Sequence, residues 1–168
     1  MALIPTCVRS VAMNGGETLV KITISGHPGS GTSTLVKGIC DSMGWTSLNG
    51  GDIFRSEAKN RGLSLAEFEK ICSEDESVDK SLDDILKQHI LQPDGYDVME
   101  SRLCGWWAFK LDVDCIRLWL HANEDSRAER VVTREGLTIE EATSSNRERT
   151  NVDRLRFDRM YGLNPEDS

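Results

Sequence analysis

Residues 26–33 read Gly-His-Pro-Gly-Ser-Gly-Thr-Ser and follow directly on an alternating, β-branched run, Leu19-Val-Lys-Ile-Thr-Ile-Ser25. The pattern predicts a strand, a glycine-rich turn and a helix over Thr32–Met43. Glycines let the backbone turn tightly, so that successive N–H groups point at one anion. The helix N-terminus adds about half a positive charge at the same place. Ser33 stands where a hydroxyl binds Mg²⁺ in such loops. The chemistry implied is the cradling of a nucleotide triphosphate.

The loop departs from the pattern G-x-x-x-x-G-K-[ST] at one position, where Thr32 replaces lysine. Positive charge therefore has to come from elsewhere. Beyond Lys110 the chain has no lysine, while arginines run on from Arg117 to Arg159. Arginine alone points to bidentate binding of phosphate or carboxylate. Arg130 and Arg134 are four apart and share a helix face, and Arg149 and Arg156 are seven apart and share another. The competing reading is that about half of them pair with acids on the same helices, such as Glu129, Glu135, Glu148 and Asp153.

At 168 residues the chain fits one domain with a full core. Its net charge of −8 argues against a nucleic-acid partner. No apolar stretch reaches the length of a membrane span, and Met1–Cys7 is too short for the apolar region of a signal peptide. Cys7, Cys40, Cys72, Cys104 and Cys115 have no C-x-x-C spacing. They read as small core hydrophobes in a reduced, cytoplasmic protein.

These residues need elements to position them. Residues 1–18 read as a flexible extension and 19–168 as the domain. A short second strand is expected at Trp45–Leu48, closed by Asn49-Gly50-Gly51. Asp52 is expected to cap a helix including Ile53–Asn60, Ser64-Leu-Ala-Glu67 to open a second as a capping box, and Ser77 to cap a third. Val78, Leu82, Ile85, Leu86 and Ile90 have helical spacing in that third helix, which Pro93-Asp94-Gly95 ends. Tyr96–Glu100 reads as a third strand and Cys115–Ala122 as a fourth, buried on both faces. Helices follow from Glu124 to Arg134 and, after the capping box Thr138-Ile-Glu-Glu141, to Tyr161. Alternating strands and helices predict a parallel α/β sheet with helices on both faces and ligands at the carboxyl ends of the strands. The glycine-rich loop, Gly51-Asp-Ile-Phe-Arg55 and Glu100-Ser-Arg102 then converge on one sheet edge.

From about Leu19 to Asn164 the chain resembles the nucleoside monophosphate kinases, and among them the archaeal-type cytidylate kinases. The resemblance rests on Ile24-Ser-Gly-His-Pro-Gly-Ser-Gly-Thr-Ser-Thr34, Gly51-Asp-Ile-Phe-Arg55, Leu63-Ser-Leu-Ala-Glu-Phe68, Glu100-Ser-Arg-Leu-Cys-Gly-Trp106, Arg127-Ala-Glu-Arg-Val-Val-Thr-Arg-Glu-Gly136, and Arg156-Phe with Tyr161-Gly162. It implies an adenylate-kinase-like P-loop fold in which threonine at Thr32 is in pattern. The family usually continues with another strand and helix, so the last strand is expected to be missing here.

The resemblance also implies roles. Gly26, His27, Pro28, Gly29, Ser30, Gly31, Thr32, Ser33 and Thr34 would hold ATP, with Arg130 stacked on the adenine. Ser33 and Glu100 would hold Mg²⁺, Glu100 through the ion's waters. Asp52, Arg55, Arg102 and Asp79 would bind the monophosphate, Asp79 from a helical insert over about residues 53–92. The catalytic arginines would be Arg134, facing the ATP phosphates from a short lid at about residues 127–149, and Arg149 and Arg156 of the closing helix, meeting the transferring phosphoryl group. The expected activity is phosphoryl transfer from ATP to CMP or dCMP by a monomer. The rivals are another acceptor, such as AMP or UMP, and a nucleotide-binding protein without turnover. His27, His89 and His121 read as having no chemical role, and Trp106-Trp107 as a core anchor.

Overall fold

The computed structural model describes residues 19–167; the expected extension over residues 1–18 lies outside them. Four parallel strands form one sheet in the order β2-β3-β1-β4: β1 Ile22–Gly26, β2 Ser47–Asn49, β3 Val98–Glu100 and β4 Ile116–Leu120. Every strand is shorter than its apolar run suggests. Helices α1 (Thr32–Met43), α2 (Gly50–Asn60), α3 (Leu65–Glu74), α4 (Glu76–Ile90), α5 (Cys104–Lys110), α6 (Glu124–Glu135) and α7 (Ile139–Tyr161) complete the fold. Alternation along β3 divides the core: Val98 joins Ile22, Ile24 and Val36 under α1, while Met99 joins Phe68, Leu86 and Trp107 on the other face.

The central register fixes the working edge. Ile24 pairs with Glu100, and Glu100 in turn with Asn49. β2 and β3 thus end on one rung, β1 runs two residues further to Gly26 beside β4, and the loops after all three leave the same edge. At the opposite end Asp97 accepts from Lys21 Nζ at 2.6 Å and the Thr46 N–H at 2.9 Å. Burial works to raise its pKa, but these donors outweigh it and hold the carboxyl below its usual range.

Two helix starts differ from expectation. Asn49, not Asp52, caps α2, and Asp75, not Ser77, caps α4, each accepting from the N–H two residues on. The capping boxes at Ser64 and Thr138 form as the sequence implies. The expectation that the fourth strand is buried on both faces is also corrected. β4 is an edge strand among the described residues, with Ile116 53% and Leu118 38% exposed. Its burial depends on neighbours, which an apolar run does not encode.

The described cysteines are free thiols, and Cys72 and Cys104 are buried in the core. Burial pushes the thiols of Cys72 and Cys115 up to about 11, as expected of cysteines used for packing. Among the described residues no helix is long and apolar enough to cross a membrane.

Helices α4, α5 and α7 are tied by one half-buried carboxylate. Asp83 accepts from Tyr161 Oη at 2.7 Å and from Trp107 Nε1 at 3.3 Å. Trp107 is buried, as an anchor should be. Helices α6 and α7 form a hairpin around Ala128, Val131 and Ala142, and Arg147 is bidentate to Glu124 across it.

Burial raises the Asp83 pKa above its ordinary 3.8, against the pull of the Tyr161 and Trp107 hydrogen bonds. The folded state therefore binds this proton more tightly than the unfolded chain. The stability it contributes is full below the ordinary carboxylate value and is lost as pH rises through the raised one. Asp83→Asn should flatten that part of the pH–stability curve, while Asp79, also raised by burial, keeps its own share. Asp83→Ala leaves two donors without a partner and should cost about 1–3 kcal/mol. Urea unfolding from pH 4 to 7 checks both; an unchanged slope in Asp83→Asn would contradict the assignment.

Candidate active site

The loop between β1 and α1 has the backbone that a phosphate cradle needs. Gly29 and Gly31 have φ of 78° and 97°, a region side chains rarely enter. At Gly26 a Cβ would lie 2.8 Å from the Leu120 carbonyl oxygen, so β4 passes directly beside the loop. Pro28 and Ser30 are buried, and the Ser30 hydroxyl has no hydrogen-bond partner. Arg130, from α6, donates to the carbonyls of Gly29 at 3.1 Å and Ser30 at 2.8 Å. It supplies at the loop the cation that Thr32 does not. His27 sits between Glu166, at 2.9 Å, and the edge of Trp119.

Beside the loop, the Ser33 hydroxyl donates to Glu100 Oε1 at 2.9 Å. The other carboxylate oxygen accepts from Asn49 Nδ2 at 2.7 Å. Glu100 is buried, at 8% exposure, and ends β3 on the shared rung. The donors here are hard oxygens. Among the described residues there is no group of three or more His, Cys, Asp or Glu side chains that could hold a metal by itself.

Arg102 follows in the turn to α5. Its Nη1 donates to the Gly26 carbonyl at 2.8 Å and its Nε to Asp153 at 2.9 Å. The turn is held by the buried Cys104 thiol, which accepts from the Ser101 N–H at 3.3 Å and lies 3.4 Å from the Ile24 carbonyl. Asp153 also lies 3.8 Å from Arg156, whose Nη1 is 3.3 Å from Asp79. That last contact lacks hydrogen-bond alignment: Arg156 Nε and Asp79 Oδ2 are both buried without a hydrogen bond. A chain of alternating charge thus runs from the P-loop through Arg102, Asp153 and Arg156 to Asp79.

The structure brings Ser33, Glu100, Arg102 and Arg130 into contact with the loop or with one another. It does not bring Arg55, Arg134 or Arg149 to them. Arg55 pairs with Asp52 on exposed α2 at 2.7 Å, and Arg134 with its neighbour Glu135. Arg149 is exposed on α7. Two contributors escape sequence reasoning. Asn49 reads only as part of a turn, although its position just before two glycines is an N-cap signal. Asp153 reads only as a partner for arginines of its own helix, whereas its main partner is 51 residues away.

A family model described as an AAA domain matches residues 25–155. Among curated proteins, a cytidylate kinase of Haloarcula marismortui is 40% identical over 87% of this chain and 74% of its own length. One of Natronomonas pharaonis is 42% identical over the same shares. The chain belongs to the cytidylate kinases. The fold agrees: a shikimate kinase from Bacteroides thetaiotaomicron superposes with a TM-score of 0.55 over 84% of this chain and 83% of its own, at 11% identity. The chain therefore shares its fold with that shikimate kinase, although few residues are identical.

The cradle makes an ordered prediction. In Gly29→Ala the new Cβ would lie 2.7 Å from the Arg127 carbonyl oxygen, in addition to the unfavourable φ. In Gly31→Ala it would meet only the Arg130 side chain, at 3.5 Å, leaving backbone strain of about 1–3 kcal/mol. Gly29→Ala should lose clearly more stability and more ATP affinity. Thermal melts and ATP titrations check this order, and equal losses would contradict it.

Proposed function

We propose that this chain transfers the γ-phosphoryl group of ATP to CMP or dCMP, giving the nucleoside diphosphate and ADP. The observation that carries this reading is the meeting of a glycine-rich P-loop and a second, arginine-bearing turn at one sheet edge. The P-loop hydroxyl of Ser33 lies on Glu100, and Arg102 reaches from the end of β3 to the Gly26 carbonyl. A protein that only binds ATP has no use for the second set. The curated relatives, named cytidylate kinases, supply the base.

The acceptor's phosphate oxygen attacks the γ-phosphorus, and the bond from that phosphorus to the β-phosphate bridging oxygen breaks. The acceptor is already an anionic nucleophile, so the protein's work is positioning and charge neutralisation. In this reading the N–H groups of residues 26–34 hold the triphosphate. Arg130 lines a cleft of about 730 Å³ with Gly31, Thr34, Leu120 and His121, and its guanidinium faces the adenine there. Arg102, with Asp52 and Arg55 on α2, takes the monophosphate, and the helices over residues 53–92 cover its base, with Asp79 among them.

Ser33 and Glu100 suit Mg²⁺, which binds through one or two protein oxygens, phosphates and several retained waters. When bound, the ion would neutralise the phosphate charge that builds up during transfer. Arg134, Arg149 and Arg156 act on closure of residues 127–149 and α7. Arg156 is the best placed, because its misaligned contact with Asp79 leaves a buried guanidinium nitrogen free for a phosphate oxygen. The chain acts as a monomer in this reading.

A coupled assay with ATP against CMP, dCMP, UMP and AMP tests the activity, with CMP or dCMP expected as the best acceptor. Loss of one charged phosphate contact is worth about 1.5–3 kcal/mol. Arg102→Ala should therefore raise KM for CMP about ten- to a hundredfold and move KM for ATP much less. Unchanged acceptor kinetics would remove Arg102 from the site, and no turnover with any monophosphate would remove the activity.

A further inference from the structure

Asn49 is used twice. Its Oδ1 accepts from the Gly51 N–H at 2.6 Å, capping α2, and its Nδ2 donates to Glu100 Oε2 at 2.7 Å. These two contacts fix the amide's orientation, since a flipped amide would turn oxygen toward carboxylate and NH₂ toward N–H. The Ser33 hydroxyl holds the other oxygen of the same carboxylate. Glu100 is thus clamped on both oxygens, one from the P-loop helix and one from the start of α2. Helix α2 carries Asp52 and Arg55 within its first two turns.

From this geometry we infer that Asn49 is a positioning residue. It sets the orientation of Glu100 and ties it to the start of the helix that carries the acceptor-side residues. The inference rests on the reading of Glu100 as the acid on the metal side of the site. If the Ser33 hydroxyl served a metal ion in place of Glu100, Asn49 would be, among the described residues, the side-chain hydrogen bond left to keep the carboxylate in place. A helix cap alone needs only an acceptor, and serine or threonine performs that task at Ser64 and Thr138. The amide NH₂ is the part that capping does not require. Contacts of this kind behind a metal-binding carboxylate are commonly worth ten- to a hundredfold in metal affinity.

Asn49→Ser separates the two tasks. A serine Oγ can still accept from the Gly51 N–H, but it is too short to reach Glu100 and would have no NH₂ to offer. The full chain, bound to a non-hydrolysable ATP analogue, is titrated with Mn²⁺ by electron paramagnetic resonance. The parent, Asn49→Ser, Glu100→Gln and the double variant are compared, and the melting temperature of each is taken without ligand. We expect Asn49→Ser to melt close to the parent and to bind Mn²⁺ about tenfold more weakly. Glu100→Gln should bind it more weakly still, with no further loss in the double variant.

If Asn49→Ser melts low, the cycle still decides, because an effect exerted through Glu100 must vanish in the Glu100→Gln background. Unchanged Mn²⁺ affinity in Asn49→Ser alongside a loss in Glu100→Gln would leave Asn49 as a cap and overturn the inference alone. An Asn49→Ser loss that persists undiminished in the double variant would overturn it as well. Unchanged affinity in Glu100→Gln would overturn the metal-side reading and this inference with it.

Discussion

The parallel rung Ile24–Glu100–Asn49 is the constraint from which the site is built. Parallel pairing at this register ends β2 and β3 together and β1 two residues further on, at the same edge of the sheet. The P-loop, the start of α2 and the Arg102 turn therefore leave one edge within hydrogen-bonding reach. A shift of one residue would turn every side chain of the slipped strand to the other face. Glu100 would then leave Ser33 and Asn49, and Met99 would leave the core it shares with Phe68 and Trp107. Core packing and site geometry are fixed by the same register, which is why a strand of only three residues can hold an acid in place.

Around that rung, the chain keeps its arginines occupied with carboxylates. Arg102 is held by Asp153, and Arg156 by Asp79 and Asp153. These side chains, apart from Asp79, are partly open to solvent, so each pair contributes little net stability, of the order of 1 kcal/mol or less. In the proposed reading they are exchanged for a phosphate, which offers more oxygens and more charge. The structural ties differ in kind. Asp83 is half-buried and hydrogen-bonded to both Trp107 and Tyr161, and it joins α4, α5 and α7 away from the loop edge. On that reading the fold separates contacts that hold shape from contacts that are traded for ligand. This also explains how an acidic chain can contain a site for anions.

Much of this was legible in the sequence because local signals and tertiary outcome agree. Helix α1 begins and ends where the glycines at 31 and 44 place its boundaries. The capping boxes at Ser64 and Thr138 and the acid closing β3 stand where expected. The failures share a cause, which is that the deciding interaction is not local. Gly50-Gly51 reads as turn composition, so the start of α2 at Asn49 is hidden until Glu100 supplies a partner for the amide. The seven residues of α5 are too few to show a period, and the helix is stabilised by Trp107 packing on Tyr161 and Asp83. β4 has the composition of a doubly buried strand, yet in the sheet it lies at an edge. The pairing of Arg102 with Asp153 spans 51 residues and leaves no trace in spacing.

The central claim is that one sheet edge binds two nucleotides and that α6 and α7 close over them. Arg134 and Arg149 are exposed, and Arg156 is held by carboxylates. Closure would bring them onto phosphate and exclude water. Hydrogen exchange with a bisubstrate analogue joining ATP to CMP measures this directly. The account predicts that the analogue protects amides from Arg127 to Arg156 far more than ATP alone, while both protect the P-loop. Equal protection of that segment by ATP and by the analogue would contradict it, because the chain would then not close over a second nucleotide.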